Sequence, residues 1–152
     1  MEKARGLIAA LSLLALIACS SGAVHTATFA TLDEAHASGA FDKGWMPAEL
    51  PQAAYELRAA YALDGPGRWG LFNFDPGDAD RLRAILQPEE VPLAGTVMDV
   101  PGRIEWWPVI LRGRLDAERI QTTGLRAYHS RDASLVFAVN WSQGRAYYWS
   151  IR

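Results

Sequence analysis

Alternation of apolar and polar residues is sharpest near the C-terminal end of the chain. Leu135, Phe137, Val139 and Trp141 point one way, and Val136 and Ala138 the other, which is the period-two pattern of a strand. Tyr147 and Trp149 alternate in the same manner, and Ser142-Gln143-Gly144 between the two runs reads as a short hairpin loop. Leu125 to His129 is a third strand candidate. Further upstream the pattern changes. Thr31-Leu32-Asp33-Glu34 matches a capping box, in which Thr31 accepts from the Glu34 amide and Glu34 reaches back to the Thr31 amide. Gly39 stops the element, so a short helix is predicted over Thr31 to Ser38. Ala40 to Pro51 follows as a loop around Phe41, Trp45 and Met46.

The stretch Ala54 to Leu63 reads two ways. Its alanines, Leu57 and Arg58 favour helix by propensity. Tyr55, Leu57, Ala59, Tyr61 and Leu63 alternate as a strand does. Asp64-Gly65-Pro66-Gly67 is a dense turn signal, and Trp69, Leu71, Phe72 and Phe74 follow it as a strand. The turn tips the balance toward a hairpin. Asp75-Pro76 then caps a helix with proline at its first position. Ala79, Leu82, Ile85 and Leu86 share one face of it, and it ends before Pro88. Glu89 to Arg103 contains Pro92, Gly95, Pro101 and Gly102 and is expected to be mostly loop. Trp106-Trp107-Pro108 leads into a short helical turn at Val109-Ile110-Leu111. The sum is an α+β domain: a small antiparallel sheet with short helices packed on one side.

Composition changes little in that picture. Half of the 152 residues are apolar, 21% are charged and the net charge is −2, a globular balance. Acidic and basic residues are mixed, with no basic block, so no nucleic-acid partner is expected.

The first eighteen residues are different in kind. Lys3 and Arg5 precede an uncharged apolar run from Leu7 to Ala18. The run is shorter than the roughly 20 residues a spanning helix needs, and it has the order of parts of a secretory signal. Its end, Leu16-Ile17-Ala18-Cys19, resembles the lipobox of bacterial lipoproteins. That resemblance implies cleavage before Cys19, a diacylglyceryl group on its thiol, acylation of the new amino terminus and residence in the cell envelope. Ser20 stands where aspartate would signal inner-membrane retention, which implies an outer-membrane anchor facing the periplasm. Cys19 is also the only cysteine, so no intramolecular disulfide competes for it. The organisation expected is a signal over 1–18, a flexible tether over 19–30 and one globular domain over 31–152.

A second resemblance lies in the aromatic and proline punctuation: Gly44-Trp45-Met46-Pro47, Leu50-Pro51, Trp69 with Phe72 and Phe74, Trp106-Trp107-Pro108 and the terminal tyrosine-tryptophan hairpin. These are similar to a group of short, uncharacterised bacterial exported proteins. The resemblance implies no activity and lends no catalytic residue.

Motifs for chemistry are sparse. The sequence has no Gly-x-Ser-x-Gly elbow, no P-loop, no dinucleotide glycine pattern and no paired-histidine zinc motif. His25, His36 and His129 share no ligand spacing, and Asp75, Asp78 and Asp80 are accounted for by a helix start. Neither a metal nor a cofactor is expected. Glu105 beside Trp106 and Trp107 suggests a glycan-hydrolase acid only if Asp99 or Asp116 faces it. The candidate binding surface is Trp106 and Trp107 flanked by Arg103, Arg112 and Arg114, since arginine stacked on tryptophan is a frequent anchor. The reading favoured is a lipid-anchored, non-catalytic module that binds an envelope protein or peptidoglycan. The alternatives are a glycan hydrolase using Glu105, and an inhibitor of wall-degrading enzymes presenting the 89–103 loop.

Overall fold

The computed structural model describes residues 23–151. The signal, the lipobox and Cys19 lie outside them. The described residues open with a strand where the sequence predicts the end of a tether. Strand β1 (Val24–Thr31) pairs antiparallel with β2 (Tyr55–Ala62), from Val24 against Ala62 to Thr31 against Tyr55. The small, polar composition of 23–30 hides it, because an edge strand has a partner on one side only and needs few apolar residues. Phe29 is the one fully buried side chain it supplies to the core.

β2 turns into β3 (Arg68–Asn73), so the hairpin reading of 54–63 holds. The three strands of the C-terminal meander are β7 (Arg126–Ser130), β8 (Leu135–Asn140) and β9 (Arg145–Ser150). β9 pairs with β3, Trp69 opposite Trp149 and Asn73 opposite Arg145. β4 (Leu86–Val91) closes the far edge against β7. The order is β1-β2-β3-β9-β8-β7-β4, antiparallel throughout. It is two meanders joined at β3 and β9. β4 lies where the sequence placed a helix end and a loop. The cap at Asp75, which accepts from the Gly77 amide at 2.8 Å, does start a 3-10 turn (Pro76–Asp78) and helix α2 (Ala79–Arg83). But α2 stops after one turn, and Leu86 enters the sheet instead of prolonging its face.

The α+β class holds, and the sheet is covered on both faces rather than one. Alternation along β8 divides the core: Leu135, Phe137 and Val139 join one cluster, Val136 and Ala138 another. All six residues of β8 are buried, as a central strand between two layers requires. On the first face lie α1 (Leu32–Ala37), α2 and the loop carrying Met46. On the second lies the long connection from β4 to β7. It holds the small sheet β5 (Val97–Met98) with β6 (Gly113–Arg114), a 3-10 turn (Val109–Leu111) and helix α3 (Ala117–Thr123).

Local chemistry explains the helix starts. Thr31 Oγ1 accepts from the Glu34 amide at 3.2 Å, while the Glu34 carboxylate takes the Ala30 amide at 2.7 Å, one residue earlier than a standard capping box would have it. Asp116 caps α3 through the Arg119 amide at 3.0 Å, and Gly124 ends it with φ +70°. α3 thus has its own cap and stop residues, Asp116 and Gly124. The β8–β9 turn is held by Asn140, whose Oδ1 accepts from Ser142 and the Gln143 amide, both at 3.0 Å, while its Nδ2 donates to the Thr123 carbonyl at 2.9 Å. The end of α3 and the last hairpin are therefore locked together.

Candidate functional site

The tryptophan pair expected to form a binding surface is a packing element. Trp107 is 2% exposed, and its indole Nε1 donates to the Leu111 carbonyl at 2.8 Å. It meets Trp106, Tyr147 and Trp149 edge-on, at centroid distances of 6.0, 5.8 and 6.2 Å. That is the geometry by which aromatic quadrupoles pack an interior. Arg112 is half-buried and donates to the Val100 and Pro101 carbonyls at 3.3 and 3.4 Å, and to the Ile104 carbonyl. It clamps the 100–104 loop instead of stacking on tryptophan. Arg114 donates to the Gly95 carbonyl at 3.4 Å. Of the expected surface, Arg103 is exposed and Trp106 half-buried. Any ligand contact there falls to these two.

The carboxylates weighed with Glu105 have separate duties. Glu105 is exposed, Asp116 is the cap of α3, and Asp99 lines a cleft with His129 and Trp149. In the 89–103 segment, β4 takes the start and Leu93 and Met98 are buried in the second core, while Ala94 to Val97 are exposed. The three histidines do not converge. His25 is on β1, His36 stacks on Phe41 at 3.9 Å, and His129 is on β7 with Nδ1 buried and unbonded. Among the described residues no group of three His, Cys, Asp or Glu is placed to hold a metal.

Arginine does stack on tryptophan, at a different place. The Arg83 guanidinium carbon lies 3.9 Å from the ring centroid of Trp141. Trp141 is half-buried, donates from Nε1 to the Tyr128 hydroxyl at 3.3 Å and meets that ring edge-on at 5.8 Å. Arg131 and Gln87 complete a cleft of about 360 Å³ beside them, lined by two arginines and no acidic side chain. α2 supplies Arg83 at its last turn, β7 supplies Tyr128, and the turn just after β8 supplies Trp141. No spacing in the sequence links the three. A neighbouring cleft of about 280 Å³ holds Ser130, Asp132, Ser134 and Arg131. The Ser130 hydroxyl donates to Asp132 at 2.6 Å, and the Ser134 amide does so at 3.0 Å. These bonds hold the Asp132 carboxyl below its ordinary value, the Ser130 hydroxyl foremost.

A second aromatic group sits at the opposite edge of the sheet. Trp45 stacks on Tyr61 at 4.7 Å with 16° between the planes, and His25 lies 5.1 Å from Trp45 and 5.2 Å from Tyr61. Lys43 Nζ stands 4.5 Å above the Trp45 ring. The sequence placed His25 in a tether and Trp45 in a loop, with nothing to join them.

Fold and clefts together define a two-faced antiparallel α+β domain with an arginine-aromatic cleft. A family model described as the YbbD head domain matches residues 24–73. The match runs from the first residue of β1 to the last of β3, about a third of the chain, so this meander and α1 are what is similar to that family. No curated protein and no solved structure matches.

Proposed function

We propose that this is a lipid-anchored cell-envelope protein whose domain is a non-catalytic binding module. The anchor rests on Leu16-Ile17-Ala18-Cys19 at the end of an uncharged apolar run, with Cys19 the only cysteine. Ser20 favours the outer membrane, facing the periplasm.

The binding reading is carried by one observation: Arg83 stacked on half-buried Trp141, beside Tyr128 and Arg131 in an open cleft. Arginine, tryptophan and tyrosine in a partly desolvated pocket are the side chains that dominate interface energetics. Two guanidiniums without a carboxylate suit an anionic partner group, such as a carboxylate of an envelope protein or of a peptidoglycan stem. The test is crosslinking of the anchored protein in its native envelope, with captured species identified by mass spectrometry. Capture should be lost in Arg83→Ala and Trp141→Ala, and kept in Arg103→Ala and Trp106→Ala. Capture insensitive to Arg83 and Trp141 would overturn this site. A mature amino terminus without acyl mass would overturn the anchor.

A further inference from the structure

We propose that the end of the sheet where β1 begins is a membrane-seating surface, lying in the headgroup layer of the bilayer that holds the Cys19 lipid. This rests on the reading of Cys19 as the anchor.

Chain length makes the first argument. Four residues lie between Cys19 and Val24, and the five steps of chain reach at most about 18 Å. The interfacial layer of a bilayer is itself about 5 to 7 Å thick on each side. The start of β1 is therefore tethered close enough to the bilayer for the surface around it to reach the headgroups.

The surroundings follow from register. Val24 pairs with Ala62, Tyr61 with Arg68, Trp69 with Trp149 and Leu135 with Ser150. The Leu63–Gly67 turn and Ile151, which follows β9, thus share one end of the strands with Val24. Five large apolar side chains are prominently exposed among the described residues. Two of them are at this end, Leu63 at 62% and Ile151 at 43%, and a third, Val97 at 64%, lines a cleft with Ile151. The stacked pair Trp45 and Tyr61 flanks the same end, each ring half-exposed. Amphipathic rings of this kind concentrate at the membrane-water interface. Two basic residues, Lys43 and Arg68, and two acidic ones, Asp42 and Asp64, belong to the segments at this end, so their formal charges cancel. Seating here comes from aromatic and apolar insertion rather than attraction to anionic lipid, and it is insensitive to salt.

Acylated Cys19 leaves an introduced cysteine as the only free thiol. The lipidated full-length protein, carrying Leu63→Cys or Gln143→Cys and a bimane label, is reconstituted into phosphatidylethanolamine/phosphatidylglycerol vesicles with a nitroxide near the headgroup. Position 143 is at the other end of the strands. Quenching is expected to be several-fold stronger at 63 than at 143, and unchanged by salt. It should persist when a flexible Gly/Ser insert of about 12 residues follows Ser20, and fall in Trp45→Ala with Tyr61→Ala. Equal quenching at 63 and 143 in protein that floats with the vesicles would overturn the seating and leave the anchor standing. So would loss of quenching with the longer linker, since proximity alone would then explain it. Protein that does not float overturns the anchor, and the seating with it.

Discussion

Gly70 on β3 sits directly across from Tyr148 on β9, and a Cβ built at Gly70 would lie 1.9 Å from the Tyr148 ring carbon Cζ. The ring is fully buried and occupies the space that every other residue at position 70 would need. This pair joins the two meanders, since β3 and β9 are the only link between them in the sheet.

Gly70→Ala is expected to destabilise the domain by about 3 kcal/mol or to prevent folding, because the strain falls on a ring with nowhere to move. Tyr148→Phe should cost about 1 kcal/mol or less, since the hydroxyl's partner is the Met46 sulfur at 3.5 Å. Urea denaturation of the two variants checks the ordering, and equal losses would show that the hydroxyl matters as much as the ring's volume.

Burial pushes the Tyr148 phenol well above its ordinary value of 10.0, with Arg68 pulling it partly back. A raised folded value means that the unfolded chain gives up the proton first. The contribution of this group to stability is present in full below about pH 10 and is lost as pH rises from there. Tyrosinate absorbance at alkaline pH should show one phenol that ionises only on unfolding, and Tyr148→Phe should remove that step.

Asp132 runs the other way. Its carboxyl is held low by Ser130 and Ser134, so its stabilising effect is present above the ordinary carboxylate value of 3.8 and fades as pH falls through the lowered one. Asp132→Asn should lower Tm at pH 7 and converge on the parent in strong acid. A constant gap between the two Tm curves down to acid pH would mean that loop geometry, not charge, carries the effect.

Trp107→Ala is expected to cost about 3 to 5 kcal/mol, as for any large core aromatic. Arg112→Ala should cost about 2 kcal/mol through three carbonyls left without their donor. Trp106→Ala and Arg103→Ala should cost less. Chemical denaturation ranks the four, and a near-neutral Arg112→Ala would return that residue to the binding candidates.

Asp116→Ala should cost about 1 kcal/mol by removing the cap of α3, while exposed Glu105→Ala should fall within about 0.5 kcal/mol of the parent. Thermal unfolding separates the two carboxylates. A large loss at Glu105 would show a role that its exposure does not suggest.

Much of the sheet was legible because its signals are local. Alternation at 135–141, the 64–67 turn and the caps at Thr31 and Asp75 each act within a few residues, and β8, β9, the β2–β3 hairpin, α1 and the start of α2 stand where those signals put them. β1 and β4 were not legible, since edge strands need little apolar surface and their partners lie far off in sequence. Tyr55 is 18 residues from Asn73 in its register, but Leu86 meets Ser130 only 44 residues later, after the connection that covers the second face. The arginines illustrate the same limit. Arg112 next to tryptophans in sequence binds carbonyls, and Arg83, far from Trp141 in sequence, stacks on it.

The sequence by itself determined the apolar run ending in Cys19, the α+β class, the turns and most helix starts, because propensity, capping and periodicity are properties of neighbours along the chain. Only the tertiary structure decided that both faces of the sheet are covered, that Trp107 is core, and that Arg83, Tyr128 and Trp141 share a cleft. It also decided that Trp45, Tyr61 and His25 gather at one edge. Those outcomes depend on strand order and on which face each connection crosses, and that choice is made by the burial of apolar surface over the whole domain, which no short window of residues contains.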